Sequence, residues 1–134
     1  MPAVKTNLKV SAISYIILFV KNSQKAVEFY RDTLGATVKS DEEGWTELDM
    51  GNTTLALHAE TKEAPVKAIG SGSASVVFYT EKLDETHETL KSAGVKIKTA
   101  PHMVCETPTH IGRCIDFEDL DGNSLSFFSM EPRK

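Results

Sequence analysis

Only a few residues of this 134-residue chain have side chains suited to catalysis or metal binding. His58 follows an apolar run and can act as a base or a polar anchor for a ligand, or else lie at the surface. Asp116 can anchor an amine or pair with a nearby cation. Cys114 stands two residues before Asp116 and can act as a nucleophile, although the spacing fixes no histidine partner for it. These residues form no motif that specifies a reaction.

The two cysteines and the other histidines support weaker alternatives. The cysteines form no C-x-x-C pair, so we interpret them as reduced thiols, with a disulfide as the alternative. His102 and His110 lie in a segment with two prolines and can either close over a ligand or remain exposed. A displaced metal site made of His58, His110 and Glu106 requires that segment to fold back.

Hydrophobic periodicity predicts the elements that position these residues in the first half of the chain. Apolar alternation or continuous apolar runs predict strands, and an apolar stripe with the period of a helix predicts a helix. The predicted strands are 12–20, 37–40, 45–50 and 53–58, and the predicted helix is 24–34. Asn22 is suited to cap the start of this helix, and Gly35 to end it.

The second half repeats the same order of elements. The predicted strands are 74–80, 95–99, 113–118 and 124–129, and the predicted helix is 83–93. Gly94 follows this helix as Gly35 follows the first, and we interpret the match as an internal duplication. The linker is predicted at 60–72. The extra length at 99–112 is predicted as a loop that borders a site.

Strand alternation divides the side chains of the predicted strands between two faces. One face is wholly apolar and is expected to pack beneath the helices; it comprises Ile16, Leu18, Val20, Leu55, Leu57, Val76, Phe78, Leu125 and Phe127. The other face mixes aromatic groups with a few polar ones, as small-molecule pockets do. Its candidate ligand-binding residues are Tyr15, Phe19, Trp45, Ala56, His58, Ser75, Tyr79, Cys114, Asp116, Ser126 and Phe128.

Two runs resemble motifs of the vicinal oxygen chelate superfamily, which includes glyoxalase I, extradiol dioxygenases and bleomycin-resistance binding proteins. The run 26–35 (AVEFYRDTLG) is similar to its first-helix motif. The run 117–123 (FEDLDGN) is similar to its turn motif, with Leu120 in place of the usual proline. The resemblance implies an α+β fold of two paired βαβββ modules, whose sheets curl into a cup with the helices outside. We expect a single domain over 1–134, with modules at about 10–60 and 73–130.

The resemblance also implies where a metal would be bound. Metal-dependent members place ligands on the first and last strands of each module, and the matching positions here are Tyr15, Ala56, Ser75 and Ser126. Alanine offers no ligand atom, and serine hydroxyls are weak ligands for a divalent ion. The sequence therefore predicts no metal at these positions and no cofactor.

Composition and charge narrow the class of protein further. The net charge is −4, and the basic residues form no stripe with interleaved aromatics, so we expect no nucleic-acid partner. The apolar run at 12–20 is too short to span a bilayer as a helix, and no cleavage motif follows it. We expect a cytoplasmic protein without a membrane partner. A homodimer is expected from the resemblance.

Two functions follow from the sequence. The first is metal-independent binding of a small molecule in the cup, in the manner of the glyoxalase and bleomycin-resistance type. The alternative is a lyase or isomerase related to glyoxalase I that uses His58, Tyr15 and Asp116, or a relocated metal.

Overall fold

The computed structural model describes Lys5, Asn7 and residues 13–62 and 75–134. Most of the predicted linker at 60–72 lies outside the described residues, as do the first residues of the predicted strands at 12–20 and 74–80. No helix in the described ranges is long and apolar enough to cross a membrane.

The first half forms a four-stranded sheet with one helix. Its elements are β1 (Tyr15–Val20), α1 (Ser23–Glu28), β2 (Thr37–Glu42), β3 (Trp45–Asp49) and β4 (Thr54–Ala59). The Asn22 side chain accepts a hydrogen bond from the Lys25 N–H at 2.9 Å and so caps α1. A wider π-helical turn at Phe29–Thr33 continues the helix, which ends at Gly35 with a positive φ of 79°. The predicted helix at 24–34 is therefore found as two helical segments in series.

The second half repeats this arrangement, which confirms the predicted α+β fold of two βαβββ units. Its elements are β5 (Val76–Tyr79), α2 (Leu83–Ser92), β6 (Lys96–Glu106), β7 (His110–Glu118) and β8 (Ser124–Pro132). The strand orders are β1-β4-β3-β2 and β5-β8-β7-β6. In each sheet the first and last strands of the unit are parallel neighbours, and the other pairs are antiparallel.

The predicted loop at 99–112 is wrong. This segment belongs to a long hairpin formed by β6 and β7, which turns at residues 107–109. The Thr107 hydroxyl accepts the backbone N–H groups of Thr109 and His110 at 3.3 and 2.9 Å and stabilises the turn. Shifts in the pairing register near Pro101 show bulges in β6, where a residue without an N–H group is tolerated in a strand.

The apolar face of both sheets packs beneath the helices, as its sequence pattern predicts. Leu18, Val20, Leu55, Leu57 and Leu125 of that face are buried. The remaining members of the predicted set are partly buried and pack against the same cluster. One core therefore serves both halves of the described chain.

A buried hydrogen bond joins the π-helical turn of the first half to the second half of the chain. Tyr30 is only 1% exposed, and its hydroxyl donates a hydrogen bond to Asp119 Oδ2 at 2.8 Å. The same carboxylate accepts the backbone N–H groups of Asp121 and Asn123 at 2.9 and 2.8 Å, which builds the turn before β8. Burial raises the pKa of Tyr30 above its ordinary value, and the Asp119 charge raises it further.

Replacing Tyr30 with phenylalanine is expected to lower the free energy of unfolding by about 1.5–3 kcal/mol, because Asp119 loses one buried donor. Chemical denaturation measures the change. Tyr79→Phe is the matched control, since Tyr79 is 60% exposed, and its effect should stay below about 0.5 kcal/mol. Equal losses in the two variants would show that the Tyr30 hydroxyl does not join the halves.

Candidate functional site

Strand register brings the first group of predicted site residues onto one face of the first sheet. β1 and β4 place Phe19 opposite His58 and Ile17 opposite Ala56. β3 and β4 place Trp45 opposite His58. Since side chains alternate along a strand, Tyr15, Phe19, Trp45, Ala56 and His58 share this face, opposite the one packed against α1.

Four rings on this face contact one another and form what we call the aromatic cluster: Tyr15, Phe19, Trp45 and His58. The ring centroids of Tyr15 and Trp45 lie 5.8 Å apart, those of Trp45 and His58 5.6 Å, and those of Phe19 and His58 5.0 Å. Edge-to-face arrangements at these distances are favourable. Tyr15 remains 49% exposed, so solvent reaches the cluster.

Hydrogen bonds orient two of these rings. Trp45 Nε1 donates to Glu47 Oε2 at 2.9 Å. His58 Nδ1 lies 2.6 Å from the backbone oxygen of Ala59. A carbonyl can only accept, which assigns the proton to Nδ1 and leaves Nε2 of the neutral ring as an acceptor.

The second group of predicted residues shares a face of the second sheet. Register places Tyr79 opposite Phe128, Phe128 opposite Cys114, and Asp116 opposite Ser126. Ser75 is exposed and precedes β5, so it lies outside this sheet. Tyr79 is also largely exposed, so this face is open to solvent as the first one is.

Asp116 is the most constrained polar group on the second face. Ser126 Oγ donates to Asp116 Oδ1 at 2.6 Å, and Thr99 Oγ1 donates to Asp116 Oδ2 at 3.0 Å. Partial burial by itself would raise the pKa of Asp116, but the hydrogen bonds from Ser126 and Thr99, together with the nearby His102 and Cys114, outweigh it, and the pKa lies below its ordinary value. Burial raises the pKa of the Cys114 thiol, and the neighbouring Asp116 raises it further, so Cys114 lacks the low pKa of an activated nucleophile.

Sequence reasoning missed the position of His102, which was assigned to a loop. In the structure His102 lies in β6 opposite Cys114, and its Nε2 is 3.6 Å from Cys114 Sγ. The residues after Thr99 show no alternation of apolar and polar types, and Pro101 and Pro108 favoured a loop, so the sequence carried no clear signal for this strand. His58, Glu106 and His110 form no metal-binding group in the described part of the chain, and both cysteines are free thiols.

The four strand positions named for a metal in the sequence do not supply a suitable donor set. Ala56 is fully buried and carries only a methyl group. The Ser126 hydroxyl is engaged with Asp116, and Ser75 lies ahead of β5. Tyr15 alone cannot hold a divalent ion. No metal-dependent step follows from these four residues.

Paired βαβββ units define a known class of fold, and comparison with known proteins identifies the family. The model of the Glyoxalase/Bleomycin resistance protein/Dioxygenase superfamily matches residues 12–127. The chain belongs to this superfamily.

The similar proteins differ in their named functions. A metallothiol transferase, FosB of Staphylococcus haemolyticus, is 30% identical over 128 residues, covering 92% of this chain and 88% of the relative. YraH of Bacillus subtilis, named as uncharacterized, is 28% identical over 127 residues, covering 86% and 95%. The solved structure of a lactoylglutathione lyase from Agrobacterium tumefaciens has a TM-score of 0.70 at 21% identity, covering 90% and 95%. At that identity the structural likeness shows the fold alone.

Removing the Ser126 hydroxyl should raise the pKa of Asp116, because the carboxylate loses a donor that stabilises its charged form. The ¹³C shift of the Asp116 carboxyl group during an acid titration with a chelator present measures this in Ser126→Ala. Ser129→Ala is the matched control, since that hydroxyl bonds Glu131 instead. An unchanged Asp116 pKa in Ser126→Ala would contradict the assigned network.

The Ser126→Ala variant also tests how the Asp116 carboxylate makes stability depend on pH. A pKa that is lower in the folded chain stabilises it above the ordinary carboxyl pKa of about 4, and that contribution is lost as the pH falls through the folded value. Denaturation of Ser126→Ala should therefore show its deficit at neutral pH, and the deficit should shrink in acid. A deficit that is constant with pH would assign the loss to packing.

Proposed function

We propose that this protein binds a small organic molecule against the aromatic cluster and that the binding requires no metal. The observation that supports the proposal is the contact of four rings on a sheet face that no helix of the described residues covers. Such a face can stack with a planar apolar ligand, and each aromatic contact contributes about 0.5–1.5 kcal/mol beyond area burial. The opposite faces of both sheets, by contrast, form the core beneath the helices.

Polar groups at the edge of the cluster give the bound molecule an orientation. Glu47 holds the indole of Trp45, and its carboxylate places a negative charge beside the rings. The Nε2 atom of His58 offers an acceptor, since Nδ1 bonds a backbone oxygen. Apolar walls with a few fixed polar groups are typical of small-molecule sites.

A second copy of the chain is proposed to complete the site. The edge strands β1 and β5 expose Tyr15, Ile17, Val77 and Tyr79, each more than two-fifths exposed. Apolar side chains exposed side by side on such strands are typical of surfaces that are covered in an assembly. A homodimer would cover them and enclose the ligand.

The second candidate is an enzyme of the lyase or transferase kind, favoured by the 30% identity to a metallothiol transferase. His58 would act as the base in that reaction, and Tyr15 and Asp116 would orient the substrate. His58 and Asp116 lie on different sheets, so a substrate would have to reach both faces.

Binding can be measured directly, because Trp45 is the one tryptophan of the chain. Bleomycin, S-lactoylglutathione and a panel of planar aromatic amines serve as probes, with and without EDTA. We expect at least one probe to change the Trp45 fluorescence with an affinity that EDTA leaves unchanged. Phe19→Ala should weaken that probe by about tenfold, which corresponds to about 1.4 kcal/mol.

Leu120→Ala is the matched control for Phe19→Ala, because Leu120 is an exposed apolar residue in the turn before β8. Its affinity for the probe should equal that of the wild-type protein. If EDTA abolishes binding, or if Phe19→Ala and Leu120→Ala behave alike, metal-free binding at the aromatic cluster is wrong.

His58→Ala separates the two candidate functions. In a binding protein the variant should weaken the probe by less than about tenfold, the loss of one hydrogen bond, and the wild-type protein should show no turnover. Assays of lactoylglutathione lyase and thiol-transfer activity measure the turnover. Wild-type turnover that disappears in His58→Ala would replace the first candidate with the second.

A further inference from the structure

An imidazole, a thiol and a carboxylate converge on the open face of the second sheet. His102 Nε2 lies 3.6 Å from Cys114 Sγ, and Cys114 Sγ lies 3.8 Å from Asp116 Oδ1. The three ligand atoms are all within 4.8 Å of one another. Among the described residues, this is the group of histidine, cysteine and acidic side chains close enough to hold one metal ion. This donor cluster shares no residue with the aromatic cluster.

The spacing of the donor cluster fits a tetrahedral ion. Bonds of about 2.3 Å to sulfur and about 2.0–2.2 Å to nitrogen and oxygen place tetrahedral ligand atoms about 3.4–3.6 Å apart. The two observed separations that involve Cys114 Sγ are 3.6 and 3.8 Å. The third separation, between the ligand atoms of His102 and Asp116, is within 4.8 Å, and coordination requires the exposed His102 ring to move closer.

The hydrogen bond at Nδ1 of His102 suits metal binding through Nε2. Its Nδ1 lies 2.8 Å from the backbone oxygen of Ala100, which can only accept, so Nδ1 carries the proton. The lone pair of the neutral ring is therefore on Nε2, the atom that faces Cys114. A backbone carbonyl on the far nitrogen is the usual outer support of a metal-binding histidine.

Asp116 has comparable outer support. Ser126 and Thr99 each donate a hydroxyl hydrogen bond to its carboxylate, at 2.6 and 3.0 Å. These bonds orient the carboxylate on the face that also carries Cys114, and ligating carboxylates are generally held by such bonds. The Thr99 hydroxyl also accepts the Asp116 backbone N–H at 3.0 Å, so it is itself fixed.

We propose that His102, Cys114 and Asp116 bind one Zn²⁺ ion, or a similar borderline-soft divalent ion, with the fourth position open to solvent. Nitrogen and sulfur ligands select such an ion over Mg²⁺ and Ca²⁺, which take oxygen ligands. On binding, the Cys114 S–H bond breaks, a sulfur–metal bond forms, and the proton leaves to solvent. An open position on this face would hold water or a ligand with a thiol or carboxylate group.

Cobalt(II) titration of chelator-treated full-length protein tests the site, with Zn²⁺ as the competitor. We expect a thiolate-to-cobalt charge-transfer band in the near ultraviolet that saturates at about one ion per chain and that Zn²⁺ abolishes. Cys114→Ser should lose the band. His102→Ala should weaken cobalt by at least about tenfold, and Ser126→Ala by about 10–100-fold through the carboxylate it supports.

Cys105→Ser and His110→Gln are the matched controls, because they remove a thiol and an imidazole outside the donor cluster. Both should keep the band and the affinity. A missing band in the wild-type protein, equal cobalt affinity in wild type and Cys114→Ser, or loss of the band in Cys105→Ser would each overturn the proposal.

Two further measurements keep the test decisive. Circular dichroism and thermal melting verify that each variant folds; if Cys114→Ser does not, His102→Ala on the exposed side of β6 carries the test. Trp45 fluorescence with the probe found for the aromatic cluster is measured in His102→Ala as well. In the wild-type protein, metal binding that fails while probe binding succeeds rejects the donor cluster alone, and the reverse result rejects the aromatic cluster alone.

Discussion

Parallel pairing of the first and last strands within each half determines which surfaces are available for function. Parallel neighbours cannot be joined by a tight turn, so the chain must cross over between them. Each half makes part of that crossover with a helix, which covers one face of its sheet. The other face therefore stays open, and the register of the same strand pair sets Phe19 beside His58 and Tyr79 beside Phe128.

The two open faces use equivalent positions for different chemistry. In the first half, Trp45 of β3 pairs with His58 of the last strand. In the second half, Cys114 of β7 pairs with Phe128 of the last strand, which is the matching position. Two residues later each strand has an acid, Glu47 in the first half and Asp116 in the second. Each acid accepts a hydrogen bond from the residue two places before it, at 2.9 Å from the indole and 3.8 Å from the thiol. An aromatic ring at this position favours stacking, and a thiol there favours metal coordination.

One buried carboxylate joins the two halves, in addition to the core that they share. Asp119 accepts both the Tyr30 hydroxyl from the first half and the backbone of its own turn. The turn precedes β8, which carries Ser126, so the bond that joins the halves also fixes the strand beside Asp116. Stability of this contact and geometry of the second open face are therefore linked.

Period-two alternation was sufficient to predict from sequence which strand side chains pack beneath the helices and which lie on the opposite faces, although Ala56 on an opposite face is also buried. Leu18 and Leu57 were predicted in the core and are buried there, while Phe19 and His58 were predicted to share a face and do. The bulges were not predictable in this way, because an extra residue interrupts the alternation without a compositional signal of its own. Pro101 was consequently interpreted as part of a loop.

One of these bulges, between Thr99 and His102, decides the chemistry of the second face. In the first half, Ser40 pairs with Glu47 and Glu42 pairs with Trp45, so both strands advance by two residues. In the second half, Thr99 pairs with Asp116 and His102 pairs with Cys114, so β6 advances by three residues while β7 advances by two. In a regular strand, residues three apart point to opposite faces, so without the bulge a hydroxyl and an imidazole could not both face the same carboxylate. The extra residue returns both side chains to one face and assembles the donor cluster from residues that alternation alone would separate.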